Sequence, residues 1–156
     1  METFVETINV RPAAARDYEQ WRLLWQGYNA FYGRAGATAV PEVISNATWK
    51  RFFDPAESMR ALVAELDGEV AGIAHYLFHR STNHLEHLCY LEDLFTEPSK
   101  RDRGVGRALI RGVCDRARDA GSTRVYWMTH ESNARAIALY ARVAERPGFI
   151  VYQQSV

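Results

Sequence analysis

The sequence predicts an α/β fold, a mixed sheet with helices packed on both faces. Runs with strand and helix periodicity follow one another in the order β-α-α-β-β-β-α-β-α-β. One run, Leu85 to Thr96, is apolar on both parities, as a strand covered on two faces must be. The 156 residues are 47% apolar and 24% charged, enough for one core and too few for a second, so residues 1–156 read as a single domain.

The first strand, Phe4 to Val10, alternates apolar and polar residues and is closed by Arg11-Pro12. Asp17 stands where an N-cap belongs, and Trp21, Leu24, Trp25, Tyr28 and Tyr32 then recur at helical spacing until Gly33. Gly33 to Pro41 is a Gly/Ala loop; Pro41 opens a second helix that runs toward Phe53 and stops at Asp54-Pro55. Arg60 to Leu66 and Val70 to Phe78 flank Asp67-Gly68, a hairpin turn. In the doubly apolar strand, Leu85, Cys89, Leu91 and Phe95 take one parity and Leu88, Tyr90 and Leu94 the other. Between Gly104 and Ala120 a helical stripe of Val105, Ala108, Leu109, Gly112, Val113 and Ala117 ends at Gly121. Arg124 to Thr129 is a short strand, and Ala134, Ile137, Ala138 and Ala141 make one face of the last helix. Pro147-Gly148 breaks the chain before a final strand, Phe149 to Gln153.

Composition excludes several function classes. Nineteen bases balance nineteen acids, the wrong charge for a dedicated nucleic-acid binder. No apolar run approaches a membrane span, and Met1 to Val10, with Glu2 and Glu6, lacks a signal-peptide layout. The two cysteines, Cys89 and Cys114, each sit in an apolar segment, which fits a reducing cytoplasm rather than a disulfide framework or a cysteine zinc site. Charge is nevertheless segregated. Lys100, Arg101, Arg103, Arg107, Arg111, Arg116 and Arg118 face only two acids in their own segment, while Glu86, Glu92, Asp93 and Glu97 form an acidic stretch just upstream. That suits an anionic cofactor beside a cationic substrate; a solvated helix face is the alternative.

The segment Arg101-Asp102-Arg103-Gly104-Val105-Gly106 lies between a strand and a basic amphipathic helix. Glycines let backbone approach an oxygen-rich ligand, and the free N–H groups and dipole of the first helical turn favour an anion. No Gly-Lys-Ser/Thr follows and a third glycine is missing, so this is neither a Walker loop nor a dinucleotide fingerprint. Arg-x-x-Gly-x-Gly after Leu91-Glu92-Asp93-Leu94-Phe95, followed by Asn133 to Tyr140 (Asn-Ala-Arg-Ala-Ile-Ala-Leu-Tyr), resembles the GNAT superfamily of acetyl-coenzyme A-dependent N-acetyltransferases. Within it, the chain is similar to the diamine acetyltransferases and to a yeast branch acetylating histones, polyamines and D-amino acids. Two positions depart from the pattern: Asp102, where many members carry glycine, must turn to solvent or pair with an arginine, and Ala144 stands where a glycine is common.

The resemblance implies a mostly antiparallel sheet with a splay between its two central strands, often through a bulge. It implies that acetyl-coenzyme A binds with its pantetheine arm along the backbone of Leu94, Phe95 and Thr96 and its pyrophosphate on Asp102, Arg103, Gly104, Val105, Gly106 and Arg107, beside Arg101. A backbone N–H near Leu94 would polarise the thioester carbonyl. No metal is needed. The resemblance implies a small-molecule amine acceptor attacked directly in a ternary complex, and Glu86, Glu92, Asp93 and Glu97 point to a cationic one. Glu92, a glutamate in an apolar strand, is either paired or a general base; Asp93 is the reserve candidate. Tyr140 is either a core aromatic or the acid that protonates departing coenzyme A, and Asn133 caps its helix or binds pantetheine. Cys89 reads as a buried structural thiol. His75, His79, His84 and His87 lack the pattern of a metal site, and His84 or His87 is a candidate lining for the acceptor pocket. The Trp21-to-Tyr32 stripe is core, with any exposed ring available to an amine by cation–π contact. The final strand, with an apolar edge at Ile150 and Tyr152, points to a homodimer. The rival functions are a non-catalytic acyl-coenzyme A-binding module and an acetyltransferase for protein or peptide amines.

Overall fold

The computed structural model describes residues 6–156. Its strands are β1 (Ile8–Pro12), β2 (Met59–Leu66), β3 (Glu69–His79), β4 (Leu88–Thr96) and β5 (Val125–Tyr126). Its helices are α1 (Tyr18–Phe31), α2 (Glu42–Arg51), α3 (Val105–Asp119) and α4 (Ala134–Val143). The strands form one sheet in sequence order, antiparallel from β1 to β4 and parallel between β4 and β5, with α3 as the crossover. The result is the mixed, mostly antiparallel sheet with helices on both faces.

Two cores follow from the strand alternation. On one face, Leu62, Leu66, Ala74, Tyr76 and Leu91 pack against Val105, Leu109 and Val113 of α3, with Leu139, Tyr140 and Val143 of α4 at the margin. On the other, Val63, Ile73 and Phe95 pack against Trp21, Leu24 and Tyr28 of α1 and Phe52 beyond α2. The close seat of α3 depends on missing side chains. A Cβ on Gly112 would lie 2.7 Å from Val10 Cγ1, and one on Gly72 2.8 Å from Val105 Cγ1.

Asp67 and Gly68 both have positive φ and close the β2–β3 hairpin, as the sequence predicts. In β4 the ladder slips: Tyr76 pairs with Leu91 but His75 with Asp93, leaving Glu92 as the extra residue of a β-bulge. On the sequence alone Cys89, Leu91 and Phe95 share a face. The bulge corrects this, because Leu91 stays in the α3 core while Phe95 turns into the α1 core.

Other boundaries also differ. The first strand runs from Ile8 through Pro12, and Phe4 and Val5 of the expected strand lie outside the described residues. Pro12 is tolerated because β1 is an edge strand. The next-to-central strand begins at Leu88, and Leu85 is 94% exposed. The strand expected over Arg124 to Thr129 shrinks to Val125–Tyr126. The final strand is not formed: residues 144–156 carry no helix or strand, and Phe149 and Tyr152 are 91% and 87% exposed. A strand needs a partner ladder, and β5 offers two residues. Asp17 precedes α1, yet its side chain caps no N–H of that helix. It accepts the Ala14 N–H at 2.7 Å and both terminal nitrogens of Arg11 at 2.7 and 2.8 Å, so it closes the preceding 3-10 turn instead.

Candidate active site

The site is built where the sheet opens. The parallel ladder pairs only Cys89 with Val125 and Tyr90 with Tyr126, so beyond Tyr90 the β5 side of β4, including Leu94, Phe95 and Thr96, has no strand partner among the described residues. This is the expected splay, placed just past the bulge at Glu92.

The turn into α3 stands beside it. Gly104 precedes the helix with φ +86°, in the left-handed region that glycine adopts without strain. The first intrahelical bond runs from Ala108 N–H to the Gly104 carbonyl, which leaves the N–H groups of Val105, Gly106 and Arg107 outside the ladder. A Cβ on Gly106 would sit 3.4 Å from Leu139 Cδ2 and 3.9 Å from Thr96 Oγ1, so this glycine keeps the passage between β4, α3 and α4 narrow but clear. Asp102 is paired with Arg135 at 2.8 Å, one of the two outcomes its position demanded. Arg101 donates from Nε to the Thr96 carbonyl at 3.3 Å and lies over the Phe95 ring. Arg103 reaches Glu6 at 3.3 Å. Oriented N–H groups, a glycine turn, a neutralised Asp102 and an unpaired strand edge together fit the diphosphate and amide chain of coenzyme A. Asn133 is the N-cap of α4; its Oδ1 accepts the Ala136 N–H at 3.4 Å.

On the other side of the bulge a cleft of about 630 Å³ opens between α1, the loop before α2 and β4. Trp25, Tyr28, Arg34, His75, Glu92 and Asp93 line it. A smaller hollow adjoins it, lined by Tyr28, Tyr32, Glu92, Leu94, Trp127 and Tyr140. Glu92 and Tyr28 border both, so the bulge brings Glu92 and Tyr140 into one space. Solvent reaches the Glu92 side chain, but the cleft walls desolvate its carboxyl and push its pKa above the ordinary range. The charge of Asp93 adds to that rise. Tyr140 is half-buried, edge-on to Trp127 at 5.4 Å, and burial pushes its hydroxyl up to about 12. It therefore holds its proton at neutral pH.

Asp93 shares the large cleft with Glu92, since the bulge undoes the strict alternation that would separate them. Its Oδ2 lies 2.9 Å from His75 Nδ1, and His75 Nε2 accepts the Trp21 indole N–H at 2.9 Å. Neither His75 nor Arg34 stands out as a site residue from motif and spacing. The available signals were a histidine inside the apolar run Ala71 to Leu77 and a single charge in the loop Gly33 to Val40. The remaining candidates lie elsewhere. Cys89 is buried and its thiol is pushed up to about 12, the opposite of an activated nucleophile. His79 bonds the Tyr126 hydroxyl, His84 bonds Ser81 and Asn83, and neither His84 nor His87 lines either hollow. Among the described residues no group of three or more His, Cys, Asp and Glu is placed to hold a metal ion.

Comparison with known proteins agrees with this geometry. The sequence profile described as Acetyltransferase (GNAT) family matches residues 18–144. The D-amino-acid N-acetyltransferase HPA3 of Saccharomyces cerevisiae is 35% identical over 96% of this chain and 92% of its own. The thialysine N-epsilon-acetyltransferase of Caenorhabditis elegans is 32% identical over 56% of this chain and 54% of its own. The fold is shared with the aminoglycoside N-acetyltransferase AAC(6')-Iy, solved in complex with CoA, at a TM-score of 0.82 and 19% identity over 99% of both chains.

Proposed function

The chain belongs to the GNAT family of acetyltransferases, and on that premise we propose that this N-acetyltransferase acetylates the primary amine of a small amino-acid-like acceptor held in the cleft. The whole chain, 1–156, is read as one N-acetyltransferase domain. The observation that carries the reading is the bulge that puts Glu92 and Tyr140 on one hollow between the acceptor cleft and the open edge of β4. Bound acetyl-coenzyme A supplies an activated acetyl thioester there. The edge from Leu94 to Thr96 and Asn133 hold its amide arm. The N–H groups of residues 102–107, with Arg101, Arg103 and Arg107, hold its diphosphate. Glu92 removes a proton from the acceptor ammonium, directly or through one water, so that the amine attacks as a free base. Tyr140 keeps at its hydroxyl oxygen the proton that the leaving sulfur needs.

The cleft walls support the acceptor class. Asp93 and Glu92 offer negative charge to an ammonium, as a cationic amine requires. Arg34 adds a cation to the lining; its Nε is held by Asn29 Oδ1 at 2.8 Å and its guanidinium lies over the Tyr28 and Tyr32 rings, while its terminal nitrogens make no hydrogen bond to the described residues. A carboxylate there and an amine at Asp93 describe an amino acid, in keeping with the substrates named for the yeast and nematode relatives. Two free cysteines support a cytoplasmic setting, and no helix among the described residues is long and apolar enough to cross a membrane. The exposed segment from Phe149 supports a homodimer.

The test is a screen of acetyl-coenzyme A consumption over amino acids of both hands, polyamines, aminoglycosides and basic peptides. Turnover strongest with amino acids, and weakened in Arg34→Gln through KM, is expected. Turnover confined to polyamines or peptides overturns the acceptor class.

A further inference from the structure

We infer that Trp21 and His75 are positioning residues for the transfer, which through a buried hydrogen-bond chain fix Asp93 as the anion that orients the acceptor ammonium beside Glu92. The inference rests on the functional reading above and adds two residues that touch neither coenzyme A nor the reacting atoms.

The chain has only one consistent proton arrangement. An indole N–H donates and never accepts. His75 Nε2, 2.9 Å from Trp21 Nε1, must therefore present its lone pair. The single proton of the neutral ring then sits on Nδ1 and donates to Asp93 Oδ2 at 2.9 Å. Protonating Nε2 would set two N–H groups head to head in a site where Trp21 is fully buried and His75 is 2% exposed. The hydrogen bonds on both ring nitrogens thus select the Nδ1–H tautomer. Phe52 at 4.7 Å and Trp25 at 5.3 Å clamp the ring from two further sides.

The Tyr28 hydroxyl of α1 lines the same cleft beside this carboxylate. The donor from β3 thereby holds the carboxylate at the cleft. The ionisable groups that face this cluster are Glu92 and Tyr90 on β4, His75 on β3, Tyr28 on α1 and Arg34 on the following loop. A histidine that merely filled the core would be satisfied anywhere among these rings. This one ends its chain on the carboxylate next to the bulge. The separation of duties follows: Asp93, hydrogen-bonded to His75, docks the ammonium, and its charge next door helps make Glu92 the stronger base.

Imidazole nitrogen NMR of the ligand-free wild-type protein tests the chain without any activity assay. A single Nδ1–H tautomer for His75 is expected. An Nε2–H tautomer overturns the inference. Kinetics test the role. His75→Leu is expected to lower kcat/KM roughly tenfold, through the KM of the amine and not that of acetyl-coenzyme A. His75→Gln, whose amide can accept from Trp21 and donate to Asp93, recovers most of the loss. In an Asp93→Asn background His75→Leu adds no further loss. Equal impairment in the Leu and Gln variants, or an undiminished effect in the Asp93→Asn background, overturns the positioning role. If no amine is turned over at all, the functional reading falls, and the NMR result still decides the chain.

Discussion

The base role proposed for Glu92 depends on where its strand bulges. Desolvation raises its pKa above the ordinary 4.5, with Asp93 second among the causes. The sign follows directly: the carboxylate is the working form, so kcat/KM falls as pH drops through the raised value, at a higher pH than an ordinary glutamate would show. Glu92→Gln removes that limb and lowers kcat about 10²-fold near neutrality. The deficit shrinks as rising pH deprotonates the acceptor unaided. A wild-type pH–rate profile flat down to the ordinary glutamate range, or a Gln variant with full turnover, counts against the assignment. Tyr140→Phe is expected to lower turnover by roughly 10²-fold with coenzyme A affinity preserved, as calorimetry can show. Asp17 makes the opposite use of a carboxyl. The bidentate Arg11 bond holds its pKa below the usual range, so its stabilisation is complete above the unfolded-state value and is lost as pH falls through the folded one. Asp17→Asn is expected to cost about 3 kcal/mol in urea unfolding at neutral pH and much less in acid.

The elements divide into those written locally and those written by their partners. The turn at Gly104 belongs to the first kind, since glycine spacing, flanking arginines and the helical stripe are contiguous in sequence, and even the pairing of Asp102 with an arginine was foreseeable. Gly104→Val forces a β-branched residue to φ +86°, although its Cβ would meet only Ile8 Cδ1 at 3.7 Å, so the cost is conformational rather than steric. Coenzyme A affinity is expected to fall at least about tenfold in the folded variant, because about 1–2 kcal/mol of backbone strain is relieved only by re-aiming the turn. Unchanged affinity by titration calorimetry would refute the role of the loop. Gly112→Ala, by contrast, meets Val10 Cγ1 at 2.7 Å and should destabilise by about 1–3 kcal/mol without touching affinity. The bulge belongs to the second kind. Nothing between Leu91 and Phe95 marks Glu92 as the extra residue; only the register of β3 does. Alternation therefore misassigned the face of Phe95, while the splay was legible through the motif that surrounds it, and Glu92 and Tyr140, singled out by the same motif, border one hollow.

At the scale of the whole molecule, what the sequence hides is what distant segments assemble. Trp21 and His75 are 54 residues apart and His75 and Asp93 are 18 apart, so no window along the chain contains their chain of bonds. The last segment poses the same difficulty between molecules. Phe149 to Gln153 has a strand's composition but finds no ladder among the described residues. Phe149, Ile150, Val151 and Tyr152 are instead all exposed beside a sheet whose β5 is two residues long. Contiguous apolar residues left in water on an extended segment are a template for pairing. Gly148, with φ +89°, and Pro147 break the chain after α4, so the stretch from Glu145 is the hinge that an exchange of this segment would use. A closed two-fold exchange of this segment satisfies both copies at once, whereas a head-to-tail arrangement would polymerise. Light scattering at micromolar concentration is expected to give twice the 17.8 kDa of one chain. Deleting residues from Phe149 onward should return the mass to that of one chain and leave the α3 and α1 cores folded. A full-length protein that scatters as a single chain, or a truncated one that still scatters as two, removes this mode of dimerisation.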